Sequence, residues 1–73
     1  MITKYKHIHF TKEPDMIRGN RSLWVCRNNN TKHILGYCTY HEPWKRYVFE
    51  GETDCIFDAG CLRDIIAFMQ QLR

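Results

Sequence analysis

What this chain of 73 residues lacks narrows its chemistry. No apolar run approaches the length of a membrane span, and no N-terminal segment joins a basic start to an apolar stretch of signal-peptide length. The chain therefore reads as cytoplasmic, with no membrane partner and with reduced thiols. It has no repeats, no low-complexity tract beyond Asn28-Asn29-Asn30, and no linker long enough to separate domains, so residues 1–73 are expected to form a single domain. No glycine-rich phosphate loop is present, and no stretch matches the aromatic signature of RNA-recognition sheets.

Metal-ligand spacing is missing too. Cys26, Cys38, Cys55 and Cys61 lie 12, 17 and 6 residues apart, without a C-x2-C pair. The thiols read as small buried hydrophobes. His7 and His9 alternate on a strand and have no further ligand motif nearby, so no metal and no cofactor is expected. A nucleophile pair can be drawn between Cys61, near a helix start where a thiolate is stabilised, and any of the four histidines. Nothing in the spacing selects one of them, and no catalytic residue is assigned.

Charge of one sign is also scarce. Eleven Lys and Arg against eight Asp and Glu leave a net charge of +3, which permits nucleic-acid binding without requiring it. The cations crowd the first half, from Lys4 to Lys32, and the acids gather late, at Glu50, Glu52, Asp54, Asp58 and Asp64. Such a two-sided distribution orients a protein partner as readily as it attracts phosphate.

What is present is a sheet pattern followed by a helix pattern. Residues 5–10 alternate as a first strand, which Glu13-Pro14-Asp15 breaks, and residues 16–20 read as a loop. Residues 22–27 and 34–40 form a hairpin around the Asn triplet. His41-Glu42-Pro43 turns the chain into a strand over residues 44–50, and residues 55–57 offer a short final strand. Asp58 is placed to cap a helix whose apolar stripe is Leu62, Ile65, Ile66, Met69 and Leu72, widened by Cys61 and Phe68. The expected fold is α+β: a small antiparallel meander of three to five strands packed against one C-terminal α-helix.

One helix covers only one face of such a sheet. Residues 34–49 crowd Tyr37, Tyr40, His41, Trp44, Tyr47 and Phe49 beside Lys45 and Arg46, more ring surface than a short helix can bury. Lone exposed aromatics are common, but Trp and Tyr beside Arg are the residue types enriched at interface hot spots. Tyr37, Trp44, Arg46 and Tyr47 are the candidate binding residues, some of which the core must claim.

Leu35-Gly36, Tyr40, the run Trp44-Lys45-Arg46-Tyr47-Val48-Phe49, and Cys61-Leu62-Arg63-Asp64-Ile65 with Phe68 resemble a group of small phage and prophage proteins. That group reads roughly L-G-x-I-x-W, W-R-x-Y-x-F and C-L-x-x-I-x-x-F. The resemblance covers about the last 40 residues. It departs where Cys38 stands for the aliphatic residue, Tyr40 for Trp, and Lys45 intervenes between Trp44 and Arg46. It implies a viral origin, a sheet-plus-helix fold and no catalytic residue. The expected function is a non-enzymatic interaction module that binds a host or defence-system protein in the bacterial cytoplasm. The alternatives are a single-stranded nucleic acid binder and a self-associating accessory protein that forms a homodimer.

Overall fold

The computed structural model describes residues 1–18 and 21–72, with the side chains of residues 14–18 and 22 excepted. Four strands, β1 (Ile8–Arg18), β2 (Arg21–Asn28), β3 (Ile34–His41) and β4 (Arg46–Gly51), pair antiparallel in the order β1-β2-β3-β4. A helix, α1 (Ala59–Met69), follows and packs on one face of this meander. The α+β expectation holds in class, strand order and helix position.

Four local expectations are corrected. Glu13-Pro14-Asp15 does not end the first strand, because β1 continues to Arg18 through a register irregularity between Glu13 and Ile17. Glu13 pairs with Leu23 and Ile17 with Ser22, so residues 14–16 form the extra length of a bulge. A bulge is where a strand tolerates a proline, which has no N–H to donate. The expected loop over residues 16–20 is thus strand as far as Arg18, and residues 19 and 20 lie outside the described residues. Residues 55–57 form no strand; they cross toward the helix, with Phe57 set edge-on against Phe49 at 5.6 Å. Trp44 leaves the expected strand for a 3-10 turn, Glu42–Trp44.

The turns follow their residues. Asn28 Oδ1 accepts from the amides of Asn30 and Thr31 at 2.8 and 3.1 Å, an Asx turn that closes the β2–β3 hairpin, and Lys32 takes the left-handed conformation at φ 67°. Asn29 reaches back instead, donating to the Tyr5 carbonyl at 2.8 Å. Asp58 accepts from the Cys61 amide at 2.8 Å, the N-cap expected of it.

The core lies between sheet and helix. Ile8, Phe10, Cys26, Cys38, Ile65 and Phe68 are its buried members. Phe68 is central: its ring lies parallel to Phe10 at 3.9 Å and edge-on to Trp24 at 5.1 Å. Cys26 and Cys38 sit on adjacent strands, offset by two residues in the register, and are fully buried. Gly36 leaves the room that Phe49 fills, since a Cβ there would meet Phe49 Cζ at 2.5 Å and the Glu50 carbonyl at 2.7 Å.

The helix stripe is rotated from the expected one. Ile65 and Phe68 are buried and Cys61, Met69 and Leu72 pack beside them, whereas Leu62 and Ile66 are 47% and 54% exposed. Phe68, the largest side chain of the stripe, fits the hollow between Phe10 and Trp24, and this sets the rotation. The helix C-terminus is tied to the start of the chain, where Gln71 donates to the Ile2 carbonyl at 2.8 Å and accepts the Ile2 amide at 2.9 Å.

Candidate functional site

Strand alternation assigns the candidate residues to different surfaces. The β3–β4 register pairs Tyr37 with Glu50, Cys38 with Phe49, Thr39 with Val48, Tyr40 with Tyr47 and His41 with Arg46. Cys38 and Phe49 belong to the helix-packed core, so Tyr40 and Tyr47 share their side. Tyr37, Thr39, His41, Arg46, Val48 and Glu50 belong to the opposite face. Of the four candidates, Tyr47 therefore lies on the helix side, Tyr37 and Arg46 lie at opposite ends of the other face, and Trp44 stands on the connecting turn. They do not form one patch.

Tyr47 packs edge-on to Tyr40 at 5.4 Å, and the Arg21 guanidinium sits 4.1 Å from the centre of the Tyr40 ring. These rings and this cation engage each other within the fold. Tyr37 is half-buried; a hydrogen bond to the Glu52 carboxylate, with burial adding, raises its phenol above the ordinary value.

Trp44 differs from both, because its indole is 64% exposed on a braced turn. Pro43 lies in the first turn of the 3-10 segment, the Lys45 amide donates to the Glu42 carbonyl at 3.1 Å, and Lys45 closes the turn at φ 53°. Arg46 Nε donates to the Trp44 carbonyl at 3.3 Å, and the His41 ring stands edge-on to the indole at 4.9 Å. Below Trp44 lies an open cleft of about 260 Å³ lined by His41, Trp44, Val48, Phe49 and Glu50. The sequence places His41 in the turn and among the crowded rings, but His41, Val48 and Glu50 are not among its candidate binding residues. The period-two register, continued across the turn, is the signal that places all three beside Trp44.

This corner brings together an exposed indole, an imidazole, a carboxylate and the exposed cations Lys45 and Arg46. The thiols face the other way. Burial pushes Cys26 and Cys38 up to about 12. Cys61, at the helix start, is also raised, by burial first and then by the Asp58 carboxylate. The stabilised thiolate expected there is not what this environment gives, because burial and then the Asp58 carboxylate disfavour the anion. His7 lies before β1 near Asp58 and the helix start, whereas His9 Nδ1 is 2.7 Å from Asn29 Oδ1. The two imidazoles do not share a strand face. Among the described residues, no three His, Cys, Asp or Glu side chains converge to hold a metal ion, and no helix is long and apolar enough to cross a membrane.

Compared with known proteins, the chain matches no protein family, no curated protein and no solved structure.

Proposed function

We propose that this chain is a non-enzymatic, phage-encoded interaction module that engages a host or defence-system protein through the β3–β4 corner, acting as an antagonist by occupying its partner's surface. The observation that carries the reading is Trp44, a mostly exposed indole fixed on a proline-containing turn above a cleft and beside Arg46. A rigid exposed aromatic loses little conformational entropy on binding and supplies a large apolar contact, which is why Trp and Arg dominate interface hot spots. Blocking a partner needs a surface and no active site.

The same corner favours single-stranded nucleic acid as the second reading, since an exposed ring flanked by Lys45 and Arg46 can stack a base and hold a phosphate. One experiment separates the two. Tagged protein is used to capture partners from bacterial lysate, with and without nuclease, beside Trp44→Ala and Arg46→Ala proteins. The protein-binding reading predicts a nuclease-resistant partner that is lost with Trp44→Ala. Capture of nuclease-sensitive material alone, weakening steeply with added salt, selects nucleic acid instead. A partner retained by folded Trp44→Ala protein removes the corner from consideration.

A further inference from the structure

The two edges of the sheet are not alike. Beyond β1 the N-terminal residues fold back onto the strand, with the Phe10 amide donating to the Thr3 carbonyl at 2.8 Å and a bridge between Lys4 and His9, and farther along the strand comes the bulge containing Pro14. These are the devices by which sheet edges resist pairing. β4 has neither bulge nor proline, and among the described residues it pairs in the sheet only with β3.

The outward groups of β4 can be identified. The Glu52 amide donates to the Leu35 carbonyl at 2.9 Å, so Leu35 and Glu52 are a hydrogen-bonded pair of the antiparallel ladder. Such pairs alternate. Glu50, Val48 and Arg46 therefore direct their backbone groups toward β3, and Tyr47 and Phe49 direct theirs outward.

We infer that β4 is a self-complementary edge and that its occupant is a second copy of this chain, paired antiparallel about a two-fold axis at Val48. In that register Tyr47 faces the partner copy's Phe49 and exchanges both backbone hydrogen bonds with it, and the reverse pair does the same. Val48 meets Val48. Arg46 falls opposite the partner copy's Glu50 twice, at the closely spaced non-hydrogen-bonded positions. The sequence Arg-Tyr-Val-Phe-Glu thus reads as its own complement: cation to anion, aromatic to aromatic, valine to valine.

Slipped registers are worse. A one-residue slip sets the outward groups of Tyr47 against Val48, whose backbone is committed to β3. A two-residue slip in either direction sets Val48 against Arg46 or Glu50. Glu50 already accepts from the Thr39 hydroxyl at 2.9 Å, and a carboxylate has the capacity to accept from a guanidinium as well.

The helix supplies a second feature on the same edge. Ile66 lines, with Arg46, Tyr47, Met69, Gln70 and Leu72, a hollow of about 310 Å³ between α1 and β4. Leu62 lies one helical turn before Ile66, and both are exposed. A two-fold axis through β4 perpendicular to the sheet keeps both helices on one face and turns these apolar rows toward each other. One strand edge and one short helix row make a small contact, so dimerisation depends on concentration.

Sedimentation of the purified full chain tests the pairing without any other partner. The expected result is a rise in mass from 8.9 kDa toward twice that value as concentration climbs through the micromolar range. Arg46→Glu and Glu50→Arg each set like charges opposite one another twice, and each is expected to raise the dissociation constant about tenfold or more. The combined exchange restores the pairs and the dimer. Ile66→Asp, on the exposed helix row, weakens it independently, and circular dichroism confirms that each variant is folded. A chain monomeric at every concentration overturns the inference. Folded single-exchange proteins that dimerise like the parent, or a folded double exchange that does not recover, overturn the register.

Discussion

Individual residues carry testable roles here. Gly36 is required for space rather than for backbone conformation: adding a methyl group drives it into Phe49 and the Glu50 carbonyl. Gly36→Ala is expected to cost about 1–3 kcal/mol, read as a lowered urea midpoint with unchanged slope. The thiols differ in reactivity for an equally local reason. Cys26 and Cys38 have no exposed surface and are held protonated up to about 12. Alkylation of the native protein at mildly alkaline pH, followed by mass spectrometry, should label Cys55 first, Cys61 more slowly, and the buried pair only after unfolding. Labelling of Cys26 or Cys38 in native protein would show that the sheet opens there. The Glu13–Arg27 pair, at 3.5 Å and partly exposed, is expected to contribute little.

Among the elements, the helix is held chiefly by its two buried residues, Ile65 and Phe68. Phe68 sits between Phe10 and Trp24, and Phe68→Ala should cost about 3–5 kcal/mol, enough to unfold much of so small a domain. Ile66→Ser, at an equally apolar position of the same helix, should leave monomer stability nearly unchanged because Ile66 is exposed. Paired urea titrations check the contrast. Helical spacing in the sequence put Leu62, Ile65, Ile66, Met69 and Leu72 on one broad stripe, but periodicity does not state where its centre lies. The centre was decided by the shape of the opposing sheet, which offers a ring-sized hollow to Phe68. The bulge in β1 was hidden for a related reason: Glu13-Pro14-Asp15 has the chemistry of a break, and only the pairing supplied by β2 shows the strand resuming.

For the molecule as a whole, pH acts on stability at both ends of the scale. Asp58 has its carboxyl lowered chiefly by the Cys61 amide, so its capping contribution is present above the ordinary carboxylate range and is lost as pH falls through the depressed value. Asp58→Asn keeps a capping oxygen and should flatten that acid limb, whereas Asp58→Ala should lower the melting temperature at neutral pH. At the alkaline end Cys26 and Cys38 are raised in the folded state, so the unfolded chain loses their protons first. Stability should fall as pH rises from about 9 toward about 12. Thermal melts across pH in reducing buffer check both limbs, and Cys38→Ala should reduce the alkaline decline.

The sequence by itself determined the fold class, the antiparallel hairpins, the Asp58 cap and the excess of rings over what one helix can bury. These follow from local chemistry: alternation, turn residues and helical spacing act within a few neighbours. It also marks Trp44 and Arg46 as candidates beside Tyr37 and Tyr47, some of which the core must claim, without saying which. Only the tertiary structure assigned Tyr47 to the helix side, engaged Tyr37 with Glu52, and left Trp44 exposed over a cleft shared with His41 and Glu50. The face a strand residue takes is set by the register and by which face the helix covers, and both depend on contacts between residues far apart in the chain. The same separation accounts for β4. Its palindromic order of side chains is written in the sequence, but the place of β4 at the sheet edge belongs to the folded sheet, where residues preceding β1 pair along that strand and, among the described residues, β4 pairs in the sheet with β3 alone.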